Sequence, residues 1–136
     1  MQNKTFAIIK PDAIENNNLG KIIDVIIANK FTILNARLTT MNTRQAEGFY
    51  SIHKERPFFK DLIFFMCSGP CMVLELEKIN AVNEWRTLIG STDPKEADNG
   101  TIRKDFAESK ERNSVHGSDS NENAEIEINY FFKNEI

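Results

Sequence analysis

TFAIIKPDAIENNNLGKIIDVIIANKFTILNARLTT, residues 5–40, changes its apolar period twice, and those changes decide the fold class. Phe6 to Ile9 is a continuous apolar run that Pro11 stops, because proline has no N–H to extend a ladder, so a buried strand ends at Lys10. Leu19, Ile22, Ile23, Ile26 and Ile27 then recur at three- and four-residue steps and predict a helix to about Asn29. Phe31 to Thr40 alternates, and the set Thr32, Leu34, Ala36, Leu38 and Thr40 is expected to be the buried face of a second strand.

Downstream, Thr43 is a candidate N-cap for a helix through Gln45, Ala46, Phe49, Tyr50 and His53, interrupted by Pro57 before a short helix over Phe59 to Met66. Ser68-Gly69-Pro70 reads as a turn and Met72 to Leu76 as a strand with Glu75 facing out. Ala81, Val82, Trp85, Leu88 and Ile89 mark a helix that Gly90 ends. From Gly90 to Arg112 no long periodic segment follows, and a loop of such length inside a small domain is usually a functional element. Ser114 to His116 forms a short final strand, and Ser118, Asp119 and Ser120 compete to cap a closing helix striped by Ala124, Ile128, Phe131 and Phe132. The order β-α-β-α-α-β-α-loop-β-α fits an α+β fold. Its core is a ferredoxin-like antiparallel sheet with helices packed on it, and a long functional loop precedes the last strand.

A chain of 136 residues is the size of one domain, so residues 1–136 are expected to form a single unit. Hydrophobic residues at 40% and charged residues at 27% exclude collagen-like, coiled-coil and wholly disordered classes. A net charge of −3 with a pI near 5.4 provides no chain-wide field for nucleic acid or an anionic membrane. Any phosphate ligand must therefore be held by a local cluster of cations. Cys67 and Cys71 lack the partners of a tetrahedral zinc set and read as reduced thiols. The apolar run at the N-terminus is too short for a signal-peptide core, and the stretch from Ile22 to Leu34 is broken by Asp24, Asn29 and Lys30. No membrane partner and a reducing, cytoplasmic setting are expected.

The chain has neither G-x-x-x-x-G-K-[ST] nor G-x-G-x-x-G, so side chains must hold any phosphates. The informative stretch is NSVHGSDS, Asn113 to Ser120, which places an imidazole where a strand turns into a helix. Gly117 lets the backbone turn sharply there, and neutral imidazole can act as a nucleophile at neutral pH. A lone histidine is more often an ordinary hydrogen-bonded residue, so its context decides.

That context resembles the nucleoside diphosphate kinase family over essentially the whole chain. The resemblance is carried by TFAIIKPDA at Thr5 to Ala13, FY at Phe49 and Tyr50, RPFF at Arg56 to Phe59 and MCSGP at Met66 to Pro70. It continues through WRTLIGSTDP at Trp85 to Pro94, GTIRKDF at Gly100 to Phe106 and RNSVHGSDS at Arg112 to Ser120. It implies a phosphotransferase that passes the γ-phosphate of a nucleoside triphosphate to a nucleoside diphosphate, in a ping-pong cycle through phosphohistidine at His116. Glu127 matches the acid that hydrogen-bonds the other imidazole nitrogen, and Tyr50 and Ser118 match hydroxyls near the ring. Arg86, Arg103 and Thr92 match the phosphate clamp, a role suited to the planar guanidinium fork. Lys10 and Asn113 match the residues on the sugar hydroxyls, with Lys10 also near the terminal phosphate. Phe58 matches the aromatic that stacks on the base, which implies low base specificity.

The resemblance further implies Mg²⁺ carried by the nucleotide, with no metal site from protein side chains, and a homo-oligomer, tetramer or hexamer. The chain ends shortly after Phe132, with no long C-terminal extension of the kind that braces neighbouring subunits in some members. Two positions depart from the family pattern: Lys110 stands where an apolar residue usually faces the base, and Asp93 replaces a common Asn beside Pro94. By periodicity alone Phe58 and Phe59 look like helix-core residues. Two other classes compete: an RNA-recognition module, disfavoured by the acidic pI and the lack of a basic-aromatic string, and a catalytically silent family member. Retention of His116 with Lys10, Arg86, Arg103 and Asn113 argues against the latter.

Overall fold

The protein, whose computed structural model describes residues 3–132, is built on a four-stranded antiparallel sheet in the order β2-β3-β1-β4. The strands are β1 Lys4–Ile9, β2 Thr32–Thr39, β3 Cys71–Glu77 and β4 Val115–Gly117. Around them lie α1 Pro11–Glu15, α2 Leu19–Ala28, α3 Thr43–Phe49, α4 Phe59–Met66, α5 Ala81–Ile89, α6 Ile102–Phe106 and α7 Asn121–Phe132. This is a ferredoxin-like α+β arrangement with helices packed on an antiparallel sheet. The C-terminal end beyond Phe132 lies outside the described residues.

β1 and β3 are central and covered on both faces, which is why Phe6, Ala7, Ile8 and Ile9 are all fully buried and read as an unbroken apolar run. On one face Ala7, Ile9, Leu74 and Leu76 pack with Ile22 and Ile26 of α2 and Trp85 and Ile89 of α5. On the other, Phe6, Ile8 and Val73 pack with Ala46 of α3, Ile63 and Met66 of α4, and Phe131 and Phe132 of α7. Among the described residues no helix is long and apolar enough to cross a membrane.

Three expectations are corrected. The set expected to line the buried face of β2 is exposed, with Leu34 at 40% and Leu38 at 55%, while Ile33, Arg37 and Thr39 are half-buried. β2 is an edge strand with a register shift between Ile33 and Asn35, and its odd positions face inward on both sides of that shift. Arg37 covers the core instead of an aliphatic residue, its guanidinium over the Phe132 ring and donating to the Phe131 carbonyl. Glu75 does not face solvent: it is buried, accepts from Asn35 Nδ2 at 2.6 Å and pairs with Lys4 Nζ at 3.4 Å. Finally, the cap of α3 is Asn42, which forms a reciprocal box with Gln45, and Thr43 is the first helical residue.

The segment from Gly90 to Arg112 contains α6, too short for a periodic signal and capped by the Thr101 hydroxyl, which accepts from the Lys104 N–H. Its departure from α5 turns on Gly90 at φ 87°, where a Cβ would lie 2.7 Å from Thr101 Oγ1, so only glycine fits.

Candidate active site

His116 is the middle residue of β4 and pairs with Ile8 of the central strand, so its backbone is fixed by the sheet. The indole of Trp85 donates from Nε1 to the His116 carbonyl at 3.1 Å, and the ring of His116 packs edge-on to Phe6 and Phe49. Nε2 of His116 lies 2.9 Å from Glu127 Oε1, and Ser118 Oγ donates to that same oxygen at 2.8 Å. A carboxylate oxygen accepts this bond, so the neutral imidazole that makes it is the tautomer with its proton on Nε2 and a lone pair on Nδ1. Nδ1 has no hydrogen-bond partner among the described residues. Ser118 is itself fully buried and accepts from the Phe6 N–H at 3.3 Å, which ties this cluster to β1.

A second cluster forms where β1 ends. Lys10 Nζ donates to Asn113 Oδ1 at 2.9 Å, and Asn113 Nδ2 donates to the Thr92 carbonyl at 3.3 Å. One buried amide thus joins the strand end to the Thr92 loop. Burial, and then the nearby charge of Arg103, lower the Lys10 pKa to about 8, while Asp12 pulls weakly the other way. Asp12, fully buried, accepts from the Ser114 N–H at 3.0 Å; burial raises its pKa. Ser114 has φ 74°, a left-handed conformation that costs a non-glycine residue about 1 to 2 kcal/mol.

Arg103 is buried, and its guanidinium donates to the Gly90 carbonyl at 3.0 Å and the Val115 carbonyl at 2.9 Å. Its Nε is buried without a partner among the described residues, and burial followed by the charge of Arg86 lowers its pKa to about 10. Arg86, Thr92 and Arg103 line one groove beside Gly90. Asp93 turns its carboxylate onto the Lys95 backbone N–H at 3.0 Å, which occupies one of its oxygens with a local donor.

Tyr50 and His116 line a cleft of about 230 Å³ together with His53, Asp119 and Glu127. The Tyr50 hydroxyl is buried without a partner, and burial above all raises its pKa, so the phenol stays neutral. Phe58 is 48% exposed, against the core position its periodicity suggests, and stands beside the His53 ring at 5.7 Å between centroids. Lys110 is exposed and makes no hydrogen bond or ion pair among the described residues.

The structure therefore links His116, Glu127 and Ser118 directly, links Lys10, Asn113 and Thr92 directly, and places Arg86 and Arg103 on a shared groove with Thr92. Phe58 and Lys110 make no hydrogen bond to either cluster. As parts of the site Asp12 and Trp85 escaped the sequence, and Gly117, expected to turn the backbone sharply, is instead a β4 residue without positive φ whose missing Cβ leaves room for Trp85. The only available signal for Asp12 was its place immediately after Lys10-Pro11, since a buried carboxylate leaves no periodic trace. Among the described residues no group of three or more His, Cys, Asp or Glu side chains could hold a metal ion.

The nucleoside diphosphate kinase family model matches residues 3–136. The chain is 56% identical to the nucleoside diphosphate kinase of Lawsonia intracellularis over 94% of this chain and 93% of that protein. It is 56% identical to the enzyme of the same name from Campylobacter jejuni, covering 98% of both. Among solved structures, the Aquifex aeolicus nucleoside diphosphate kinase superposes with a TM-score of 0.94 at 41% identity, over 96% of this chain and 94% of that one. The Encephalitozoon cuniculi enzyme superposes with a TM-score of 0.92 at 35% identity, over 96% and 88%.

Proposed function

The chain belongs to the nucleoside diphosphate kinase family and is a phosphotransferase, and from that premise we propose that it exchanges γ-phosphates between nucleotides by a ping-pong route through phosphohistidine on His116. The observation that carries this reading is the occupation of Nε2 by Glu127, which leaves Nδ1 as the nucleophile. In the first half-reaction the Nδ1 lone pair forms a bond to the γ-phosphorus. The bond to the bridging oxygen breaks, and the nucleoside diphosphate leaves with that electron pair. In the second, a terminal oxygen of an acceptor diphosphate attacks the same phosphorus and the electron pair of the P–N bond returns to Nδ1. Glu127 offsets the positive charge that the ring gains on phosphorylation, and Ser118 holds Glu127 in place.

Phosphoryl transfer depends on positioning and charge neutralisation. Arg86, Arg103 and Thr92 bind the phosphates in the groove they share. Lys10 and Asn113 hold the sugar hydroxyls, with Lys10 reaching toward the terminal phosphate, and Tyr50, which lines the cleft with His116, keeps its phenol neutral there. Two guanidiniums, an ammonium and a hydroxyl form a donor set for phosphate oxygens, so Mg²⁺ fits here as a passenger on the nucleotide. When bound it neutralises part of the phosphate charge. The exposed Phe58 ring stacks on the base, with the stem of Lys110 opposite, and a π-face accepts purine and pyrimidine alike. The ligands are thus ATP and other nucleoside di- and triphosphates, read with low base specificity. One domain over residues 1–136, a homo-oligomer, tetramer or hexamer, and a cytoplasmic setting that keeps Cys67 and Cys71 reduced complete the reading.

The test is incubation with γ-labelled ATP. Label enters the protein, is acid-labile and passes to GDP and CDP, whereas His116→Ala takes up none while keeping its circular dichroism. Wild-type labelling of His116→Ala would overturn the assignment.

A further inference from the structure

Asp12 belongs to neither cluster that the proposed transfer uses, yet it is a fully buried carboxylate turned onto main-chain N–H groups. One of its oxygens accepts from the Ser114 N–H at 3.0 Å, and the other meets no side-chain or distant partner among the described residues. Ser114 sits at φ 74°, and its carbonyl accepts from the Lys10 N–H at 2.9 Å. That conformation is uncommon for a serine, and three bonds hold it: the Val115 N–H closes the turn on the Asn113 carbonyl at 2.9 Å, and the two just named tie it to the Lys10-Pro11-Asp12 segment. The residue before this turn is Asn113, whose side chain accepts from Lys10 Nζ at 2.9 Å and donates to the Thr92 carbonyl at 3.3 Å. The residue after it is Val115, which enters β4 next to His116.

We infer that Asp12 is a positioning residue: its carboxylate latches the strained Ser114 turn and thereby aims the Asn113 amide and, through it, the Lys10 ammonium at the nucleotide sugar. The inference rests on the sugar-side roles of Lys10 and Asn113 proposed above. The latch works through hydrogen-bond geometry. A neutral acceptor of the same shape should replace it in part, and a residue that takes positive φ without strain should make it less necessary.

The experiment is single-turnover phosphoenzyme formation with ATP and with 2′,3′-dideoxy-ATP, which lacks the hydroxyls that Asn113 and Lys10 would hold. Asp12→Ala is expected to lose about 10-fold in kcat/KM with ATP and under about 2-fold with the dideoxy substrate. Asp12→Asn is expected to lose less than Asp12→Ala, and Asp12→Ala/Ser114→Gly to recover part of the loss. An equal loss on both substrates would overturn the proposal, as would a loss in Asp12→Asn as large as in Asp12→Ala, or no recovery with glycine. If Asp12→Ala does not fold, the substrate ratio is read on Asp12→Asn: a loss of about 3-fold confined to ATP supports the latch and an equal loss refutes it. Asn113→Ala is the reference. If it too fails to discriminate between the substrates, the sugar-side reading falls and the latch with it; if it discriminates and the Asp12 variants do not, the latch alone falls.

Discussion

Glu127 holds His116 by Nε2, at 2.9 Å, and so fixes which imidazole nitrogen carries the proton. Both partners are about one-fifth exposed at the side chain, so the carboxylate is only partly screened by water. Glu127→Gln keeps an acceptor of the same shape and loses the charge. We expect the rate of phosphoenzyme formation to fall by ~10 to 150-fold, the range for losing one charge-assisted bond that acts in the transition state. Glu127→Ala should fall at least as far, and Ser118→Ala less, since Ser118 touches the carboxylate and not the ring. Rapid-quench labelling measures all three, and a wild-type rate in Glu127→Ala would show that Nε2 needs no anion.

Arg103 joins two backbone carbonyls, Gly90 and Val115, on either side of the groove it lines. Lysine has no fork: its three N–H donors radiate from a single nitrogen and cannot span the two carbonyls that Nη1 and Nη2 of the guanidinium reach separately. Arg103→Lys should therefore lose stability as well as activity: about 1.5 to 3 kcal/mol for one charged hydrogen bond, and more in Arg103→Ala. Urea unfolding reports the stability and kcat/KM the activity. Full stability in Arg103→Ala, with activity lost, would assign Arg103 to phosphate alone.

These contacts also show where legibility in the sequence stops. α2 and α5 are visible because each lays an apolar stripe on the sheet, and β1 because both its faces are buried. β2 misleads because its inward positions include Arg37 and Thr39 while Leu34 and Leu38 lie on the exposed face of an edge strand, so apolar content points to the wrong face. The burial of Arg103 has no side-chain signature, since its partners are carbonyls at Gly90 and Val115 and its helix is one short turn. Asp12 is illegible for the same reason: it serves a backbone N–H more than a hundred positions away. Phe58 gave opposite answers to periodicity and to resemblance, and its exposed ring is the feature that periodicity could not supply.

If Lys10 meets the nucleotide as proposed, its shifted pKa should make binding pH-dependent. Its pKa is lowered from 10.5 to about 8, chiefly by burial and then by Arg103. Near pH 9 the free protein therefore holds it mostly neutral, and an arriving phosphate restores the ammonium by taking a proton from solvent. Binding of ADP should take up protons at pH 9 but not at pH 7, and weaken as pH rises above 8. Between about 8 and 10.5 the unfolded chain binds more protons at this residue than the folded one, so this group makes stability rise with pH across that window. Titration calorimetry in buffers of different ionisation enthalpy, on wild type and Lys10→Gln, measures the uptake. Equal proton exchange in the two proteins would remove Lys10 from the effect.

Gly117 follows His116 in β4, and a Cβ built there would lie 2.6 Å from Cδ1 and 2.8 Å from Nε1 of Trp85, with Ile89 Cδ1 at 3.2 Å. Trp85 is fully buried, so it cannot swing into solvent to make room. Gly117→Ala should therefore push the indole off its bond to the His116 carbonyl, which spans 3.1 Å, and cost about 1 to 3 kcal/mol by overpacking. The same displacement shifts the strand that carries His116, the proposed nucleophile, so phosphoenzyme formation should slow even where the variant is fully folded. The chain has one tryptophan, and its fluorescence reports the displacement without interference. Trp85→Phe vacates the volume and removes the donor. In Trp85→Phe/Gly117→Ala the stability cost of the alanine should therefore be smaller than in Gly117→Ala alone, a non-additivity expected only for side chains in contact. Additive costs in the double variant would mean that the alanine strains the backbone of β4 and not the indole.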